Sequence, residues 1–189
     1  MEIVVRPAAV LDAARITEVH VRAWQLAYRG ILSERYLDDL SLQTKERRRR
    51  WEGIITAPER PGTVTLVAEV DGEVAGWASH GSNRDSDVTT PQTGEIYGIY
   101  IHPDYWRIGA GSELMAAAVD QMAASGLVEA TLWVLEDNKR ARSFYARHGW
   151  RPDGSSDYFE RDGLRAVEVR YRRPLAGSRA RLAADLPAP

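Results

Sequence analysis

Apolar and polar residues alternate along this chain with two different periods, and each change of period marks a predicted boundary between elements. Apolar side chains at Val10, Val21, Trp24 and Tyr28 follow the spacing of a helix, and Gly30 is a suitable stop. Runs that alternate with a period of two, or that are apolar throughout, predict strands. The predicted strands cover residues 2–6, 64–70, 73–80, 95–101, 130–135 and 164–172, and another is expected to start at residue 150.

Local signals define the helices and one hairpin. Ser33 and Asn138 precede predicted helices as N-caps, since their side chains accept hydrogen bonds from first-turn amides. Gly126 ends another helix. Asp71-Gly72 is typical of a two-residue hairpin turn. The predicted helices cover residues 10–29, 33–40, 41–56, 111–125 and 139–148, and the polar segments 81–93 and 153–163 are predicted as a loop and a turn region.

The order of these elements is a strand, several helices, a strand meander, and then strand–helix–strand–helix–strand. This order predicts an α/β (α+β) fold with a mixed, mostly antiparallel central sheet of about seven strands and helices on both faces. We see no repeat or linker that divides the chain, so residues 1–173 are expected to form one domain. Residues 174–189 are rich in Ala, Arg and Pro with little to bury, and we expect a poorly ordered tail there.

The composition suits one domain and argues against nucleic acid or an acidic membrane as a partner. The chain has 189 residues, 44% of them hydrophobic, which is enough for one substantial core. The net charge is −2, so neither nucleic acid nor an acidic membrane is expected as a partner. The basic run at residues 47–50 adjoins Leu40, Leu42 and Trp51, and we interpret it as the solvated face of a helix.

Cysteine and histidine usage excludes several kinds of site. The sequence has no cysteine, so a disulfide framework, a thiolate zinc site and a cysteine nucleophile are ruled out. The four histidines do not pair at metal-ligand spacing, so no metal is expected. The first residues lack the apolar core of a signal peptide, and no apolar run is long enough to span a bilayer. We therefore expect a soluble, cytoplasmic protein.

The segment EIYGIYIHPDYWRIGAGS, residues 95–112, carries most of the chemical information. It predicts a buried strand, a glycine-bearing turn and the start of a helix. Glycines let backbone amides approach a ligand, and a helix start adds unpaired N–H donors, so the turn is suited to a pyrophosphate. Glu95, at the start of the strand, is placed to take a proton from an amine, because ammonium groups have pKa values well above neutrality. The alternative is that Glu95 is a solvated residue at a strand end.

Two further inferences concern this segment. Strand alternation predicts that Glu95, Tyr97, Ile99 and Ile101 share one face of the strand. A nucleotide loop of the Rossmann type is a weaker alternative for the glycine turn, because a third correctly spaced glycine and a preceding short strand–helix unit are missing.

Three segments together resemble the GNAT superfamily of acyl-CoA-dependent N-acyltransferases. GIYIHPDYWRIGAGSELM is similar to the cofactor-binding motif, LWVLEDNKRARSFYARHGW to the next strand–helix unit, and WQLAYRGILSERYLDDLS to one bacterial branch. The first two occur in the order and at the separation that the family shows. The family usually has Gln or Arg where this chain has Trp106, and Arg107 is expected to supply the missing charge.

The resemblance implies acetyl-CoA as the acyl donor, without a metal. It implies that Glu95 is the base, that the Ile99 amide stabilises the oxyanion, that the Ile101 backbone binds pantetheine, and that Tyr145 is the acid. Asn138 is then a pantetheine ligand, an N-cap or both, and the alternative for Tyr145 is a core aromatic. The expected cofactor-binding residues are Ile99, Tyr100, Ile101, Arg107, Ile108, Gly109, Ala110, Gly111, Ser112 and Asn138.

The resemblance also implies an acceptor site near Trp24, Tyr28 and His80, where aromatic rings would suit an amine cation. The alternative for the first two is a core stripe at helical spacing. Ser112 and Ser143 have no evident His–Asp partners, so direct transfer in a ternary complex is the simpler mechanism. We expect the acceptor to be a primary amine of a small molecule. A protein N-terminus or lysine, and a non-catalytic acyl-CoA-binding domain, are the alternatives, and a homodimer is an open option.

Overall fold

The computed structural model describes residues 1–60, 62–161 and 163–175. Strands and helices follow one another along these residues in the order that the sequence predicts. The strands are β1 (Ile3–Pro7), β2 (Val64–Val70), β3 (Glu73–Ser82), β4 (Thr93–Ile101), β5 (Glu129–Leu135), β6 (Arg151–Arg161) and β7 (Leu164–Pro174). The α-helices are α1 (Ala13–Ala27), α2 (Glu34–Asp39), α3 (Thr44–Thr56), α4 (Ala110–Ala124) and α5 (Lys139–Arg147).

The described strands form one seven-stranded sheet in the order β1-β2-β3-β4-β5-β7-β6. Neighbouring strands are antiparallel except β4 and β5, which are parallel and are joined by α4. A parallel pair needs a crossover connection, and α4 provides it. Helices α4 and α5 cover one face of the sheet, and α1, α2 and α3 cover the other. The predicted fold class is confirmed.

The local signals in the sequence lie where the elements begin and turn. Ser33 caps α2 and Asn138 caps α5, each with a side-chain oxygen that accepts from a first-turn amide, at 3.3 and 3.0 Å. The β2–β3 turn has Asp71 at φ 50° and Gly72 at φ 87°. Those left-handed values are what a two-residue hairpin requires. Signals that act within a few residues were therefore sufficient here.

One predicted turn region is part of a long strand. The polar segment 153–163 is predicted as a turn region, but β6 covers Arg151–Arg161 and pairs with β7 along most of its length. β6 is the last strand of the sheet, and most of its residues are exposed. The polar composition therefore reflects an edge strand that faces solvent, since an edge strand need not bury either face.

A β-bulge interrupts the pairing of β3 with β4. Ser79 lies opposite Gly98, and the next residue, His80, lies opposite Ile96. Tyr97 is therefore an extra residue on β4 that has no opposite partner. An inserted residue of this kind bends the strand and reverses the alternation of its side chains beyond the bulge.

Because of the bulge, the side chains along β4 do not all lie on the face of the sheet that simple alternation predicts. Ile96 belongs to the core beneath α4, and both Ile99 and Ile101 pack against that same core. Glu95 precedes Ile96 and lies on the opposite face, towards α1. The prediction that Glu95 shares a face with Ile99 and Ile101 is wrong, because simple alternation does not account for the extra residue.

The parallel strands β4 and β5 stay together only near their starts. Their pairing runs from Thr93 opposite Glu129 to Ile96 opposite Leu132, whereas β4 continues to Ile101. β5 also continues to Leu135, and along its whole length its other side pairs with β7. The sheet therefore opens on one side of the outer half of β4, where backbone groups are left facing a cleft.

The last described residues still belong to the domain. Pro174 of β7 pairs with Glu129, and Leu175 is buried. The packed chain thus extends past the predicted boundary at residue 173. The predicted poorly ordered tail otherwise concerns residues 176–189, which lie outside the described residues. None of the described helices is long and apolar enough to cross a membrane.

Candidate active site

A cleft of about 940 Å³ opens where β4 and β5 separate. Its walls come from the end of α1, the outer half of β4, the loop into α4, the end of β5, α5 and β7. Most of the residues predicted for the site line it: Trp24, Tyr28, Glu95, Ile99, Tyr100, Ile101, Arg107, Gly109, Gly111, Ser112, Asn138 and Tyr145. The fold thus gathers segments that are far apart in the sequence into one cavity.

Three predicted residues have side chains that do not line the cleft. Ile108 and Ala110 pack into the core beneath α4, so they can offer only backbone groups. His80 is buried on β3, and its Nε2 lies 3.2 Å from Oε1 of Gln121 on α4. The structure therefore does not place His80 at the expected acceptor site, because its position in β3 directs it to α4 instead.

One end of the cleft has the features of an anion site. The chain enters α4 through Arg107 at φ 66° and Gly109 at φ 104°, and both values are left-handed. A non-glycine residue in this region is uncommon and is held by its surroundings. The turn brings the unpaired amides of the α4 N-terminus to the cleft, where they and the helix dipole favour negative charge.

Two arginines face this end without counter-charges. Arg107 and Arg140 both line the cleft, and neither forms an ion pair within the described residues. Burial lowers the pKa of Arg140, and the charge of Arg107 lowers it further. Two cations that repel each other in a partly buried site favour the binding of a polyanion.

Trp106 replaces the polar residue that the family motif would have. Its Nε1 donates to the Ile101 carbonyl at 2.8 Å, and the Arg140 guanidinium lies 3.3 Å from the centre of its ring. Trp106 thus fastens the loop to the end of β4 and holds Arg140 at the cleft. Arg140 from α5 therefore lies at the cleft together with Arg107, the residue predicted to supply the missing charge.

The outer half of β4 presents backbone amides to the cleft. The His102 amide donates to the Ala75 carbonyl of β3 at 2.8 Å. Backbone groups in an antiparallel ladder alternate in direction, so the amides of Ile99 and Ile101 point away from β3. This orientation agrees with the predicted oxyanion and pantetheine contacts, which remain predictions. The Ile101 carbonyl differs, because it already accepts from Trp106.

At the other end of the cleft, Glu95 is held by Arg84. Glu95 is 1% exposed, and both its oxygens accept from the Arg84 guanidinium. The Arg84 backbone amide also donates to Oε2 at 3.0 Å. The same guanidinium lies 4.4 Å from the centre of the Tyr97 ring. Glu95 is therefore a fully bonded carboxylate and not the solvated strand end of the alternative interpretation.

Three tyrosines meet near the middle of the cleft. The hydroxyls of Tyr28 and Tyr100 are 3.4 Å apart, and Tyr145 of α5 lies beside them. Burial raises the pKa of Tyr145, and Tyr100 adds to this effect. Burial likewise raises the pKa of Tyr28. The Tyr145 hydroxyl therefore stays protonated through the neutral range, as a proton donor must.

Ser112 has a histidine neighbour that the sequence does not reveal. The His148 Nδ1 lies 2.9 Å from the Phe144 carbonyl, so it donates, and Nε2 is left to accept from the Ser112 hydroxyl at 3.1 Å. No carboxylate within the described residues completes a triad with His148. The expectation that Ser112 lacks a histidine partner is therefore wrong, while an acidic third member is missing among the described residues.

A family comparison connects this geometry to known proteins. The model of the acetyltransferase (GNAT) family matches residues 21–150, which span the end of α1, the separating strands, the α4 loop and α5. The chain belongs to the GNAT acetyltransferase family. The resemblance inferred from the sequence motifs is confirmed.

Individual relatives cover nearly the whole chain. YuaI, an uncharacterized N-acetyltransferase of Bacillus subtilis, is 29% identical over 170 residues, covering 88% of this chain and 90% of that protein. The spermidine N(1)-acetyltransferase of Thermoplasma acidophilum is 24% identical over 164 residues, covering 85% and 98%. The crystal structure of the PaiA N-acetyltransferase from Thermoplasma acidophilum in complex with coenzyme A is 21% identical. It has a TM-score of 0.72 and covers 92% of this chain and 99% of that one, which supports the shared GNAT fold.

Sequence reasoning missed several residues that line the cleft. Arg84, Arg140, Arg147 and Glu168 carry charge there, and Trp133 and Phe159 add aromatic surface. Arg140 could have been predicted from the sequence, because it lies in the first turn of the helix that Asn138 caps. Glu168 lies in a strand far from every motif, so only the pairing of β7 with β5 reveals it.

The arginine arrangement makes a prediction about the binding of coenzyme A. Arg140→Ala is expected to weaken coenzyme A binding roughly 10- to 100-fold, the effect of losing a charge-assisted hydrogen bond. Lys139→Ala is the matched control, since Lys139 is on the same helix but does not line the cleft. Isothermal titration calorimetry at two salt concentrations measures both affinities. Equal affinity for Arg140→Ala and the wild type would remove Arg140 from the phosphate site.

Proposed function

We propose that this GNAT acetyltransferase transfers the acetyl group of acetyl-CoA to a primary amine of a small molecule by direct attack in a ternary complex. One observation carries the proposal: a single cleft joins an anion site with unpaired cations to an end with carboxylates, tyrosines and aromatic walls. The coenzyme A complex of PaiA and the spermidine acetyltransferase support the choice of donor and acceptor.

Residues at different positions along the cleft have different roles in the proposed reaction. The α4 N-terminus, Arg107 and Arg140 bind the phosphates, and the amide of Ile101 aligns the pantetheine arm. The Ile99 amide donates to the oxyanion that develops at the thioester carbonyl. Tyr145 gives its proton to the departing thiolate, and because burial raises the pKa of Tyr145, this transfer costs more than it would from a free phenol.

The acceptor end suits a small amine. Trp24, Tyr28, Trp133 and Phe159 line it, and aromatic faces attract an ammonium group while excluding water. A carboxylate there must then take a proton before the amine can attack. Glu95 is the base that the sequence suggests, and Glu168 is a second carboxylate on the same cleft. A protein N-terminus or lysine remains the enzymatic alternative.

The proposal is tested by following thiol release from acetyl-CoA colorimetrically with a panel of amines. The protein has no cysteine, so it adds no thiol background. We expect release that depends on a small primary amine and that saturates with both substrates. Release only with peptides that carry a free N-terminus or lysine would favour the alternative acceptor. Binding of acetyl-CoA without release for any amine would mean a non-catalytic acyl-CoA-binding domain.

A further inference from the structure

Glu168 lies at the acceptor end of the cleft on a strand that no motif covers. On β7 it pairs with Leu135 of β5 on one side and with Asp157 of β6 on the other. Paired residues in an antiparallel ladder share a face, so Glu168 points to the face where Leu135 packs against the α1 core. This is the face on which Glu95 lies, and both carboxylates line the cleft.

The two carboxylates differ in their hydrogen bonds and ion pairs. Every oxygen of Glu95 accepts from Arg84, and its side chain is 1% exposed. Glu168 is partly buried, and within the described residues it forms neither a salt bridge nor a side-chain hydrogen bond. A carboxylate bound by a guanidinium gives up that bond before it can take a proton, whereas an unpaired one does not. The contrast favours Glu168 as the proton acceptor.

The surroundings of Glu168 raise the pKa of its carboxyl group. Burial raises its pKa, and the negative charge of Asp157 raises it further. Arg84 acts in the opposite direction, while Glu95 and Asp85 again raise it. The groups that face it are thus Asp157 on β6, Arg84 and Asp85 in the loop after β3, Glu95 on β4 and, across the cleft, Tyr28 at the end of α1. A carboxylate of raised pKa is a stronger base than an ordinary glutamate.

We propose that Glu168, rather than Glu95, takes the proton from the acceptor ammonium, and that the Glu95–Arg84 pair positions the loop and strand beside it. This rests on the proposed acetyl transfer. In the step, an N–H bond of the ammonium breaks and an O–H bond forms on the Glu168 carboxylate. The freed nitrogen lone pair forms the bond to the thioester carbon, and the carbon–sulfur bond then breaks. Tyr145 protonates the departing thiolate and is reprotonated, through solvent, by the second proton that the nitrogen loses as the amide forms. Glu168 returns its own proton to solvent.

The test compares Glu168→Gln, Glu95→Gln and the control Glu160→Gln, an exposed residue of β6 that pairs with Arg165. With acetyl-CoA and spermidine or benzylamine, Glu168→Gln is expected to lower kcat/KM roughly 100- to 10,000-fold. Coenzyme A affinity should be unchanged. Glu160→Gln should match the wild type, and Glu95→Gln should keep the wild-type shape of the pH profile.

The pH profile separates a base from a structural residue. In the wild type, kcat/KM should rise with pH through the raised pKa of Glu168 and then stay level, because the ionised carboxylate reacts with the ammonium form. In Glu168→Gln it should keep rising towards the pKa of the free amine, since only the neutral amine then reacts. A level region retained in Glu168→Gln and lost in Glu95→Gln would overturn the proposal.

A second readout does not depend on turnover. Carboxyl NMR of protein labelled at the glutamate side chains, with Glu168→Gln for assignment, follows each carboxylate as spermidine or benzylamine is added in the presence of coenzyme A. We expect the Glu168 signal to shift and the Glu95 signal to stay. An unshifted Glu168 signal with both amines overturns the proposal. Absence of wild-type turnover on every amine would instead refute the proposed function, and the NMR result would then show only whether the amine binds beside Glu168.

Discussion

Arg170→Met is expected to lower the free energy of unfolding by about 3–5 kcal/mol, the cost of removing one partner from a buried ionic network. Arg170 is 4% exposed on β7. Its guanidinium donates to Asp85, Asp87, Asp153 and the Ser155 hydroxyl at 2.7–3.0 Å. All five of its N–H groups are used, so its removal leaves several carboxylates facing one another.

The same substitution should disturb the acceptor end of the cleft. Asp85 and Asp87 lie in the loop that also carries Arg84, the partner of Glu95. Arg170 therefore ties that loop to β7, next to Glu168. Arg172→Met is the matched control, since Arg172 lies on the same strand but is more exposed, with 30% of its side chain accessible. Urea denaturation should show a loss several times larger for Arg170→Met, and comparable losses would contradict this role.

The network also gives stability a pH dependence. Arg170 holds the pKa of Asp87 below its usual range. Burial alone would raise the pKa of Asp153, but hydrogen bonds from Ser155 and Arg170 outweigh it and the net shift is downward. A depressed carboxylate pKa contributes stability above the unfolded value, and that stability is lost as the pH falls through the folded value. The acid limb of the stability curve, below about pH 4, should therefore be shallower in Arg170→Met than in the wild type.

Tyr145→Phe is expected to lower kcat roughly 10- to 1,000-fold while leaving the affinity for coenzyme A nearly unchanged. The hydroxyl lies in the cleft beside Tyr28 and Tyr100, and its raised pKa keeps it protonated. Phenylalanine keeps the packed ring and removes only the proton donor, so the thiolate would have to leave unprotonated or take a proton from water.

The control for this substitution is Tyr36→Phe. The Tyr36 hydroxyl is buried and has no hydrogen-bond partner within the described residues, so its loss should not affect kcat. Steady-state kinetics with acetyl-CoA and the best amine of the panel would compare the two variants. A kcat for Tyr145→Phe equal to that of the wild type would transfer the acid role to solvent.

The parts of the fold that depend on nearby residues could be predicted from the sequence. Ser33, Asn138 and the Asp71-Gly72 turn act over three or four residues, and their elements begin or turn where expected. The glycine turn before α4 belongs to the same class. Features that depend on pairing between strands could not be predicted. The bulge at Tyr97 exists only in the register of β4 against β3.

The residues of the candidate site also fall into a group that could be predicted from the sequence and a group that could not. Residues inside the two motifs, such as Gly109 and Tyr145, reach the cleft because the strand–helix units around them are local. The charged residues that set its electrostatics come from outside the motifs. Glu168 pairs with Leu135 across 33 positions of the chain, and Arg170 reaches Asp85 across 85. A single sequence contains no signal for contacts of that range.

Acetyl transfer to an amine is tested most directly by following the acetyl group itself. The protein is incubated with trideuterated acetyl-CoA and the amine panel, and mass spectrometry is applied to both the small molecules and the intact protein. The account predicts an amine that gains the labelled acetyl group, stoichiometric free coenzyme A and a protein of unchanged mass. Labelled acetate without a labelled amine, or a covalently acetylated protein that forms before the product, would contradict direct transfer in a ternary complex.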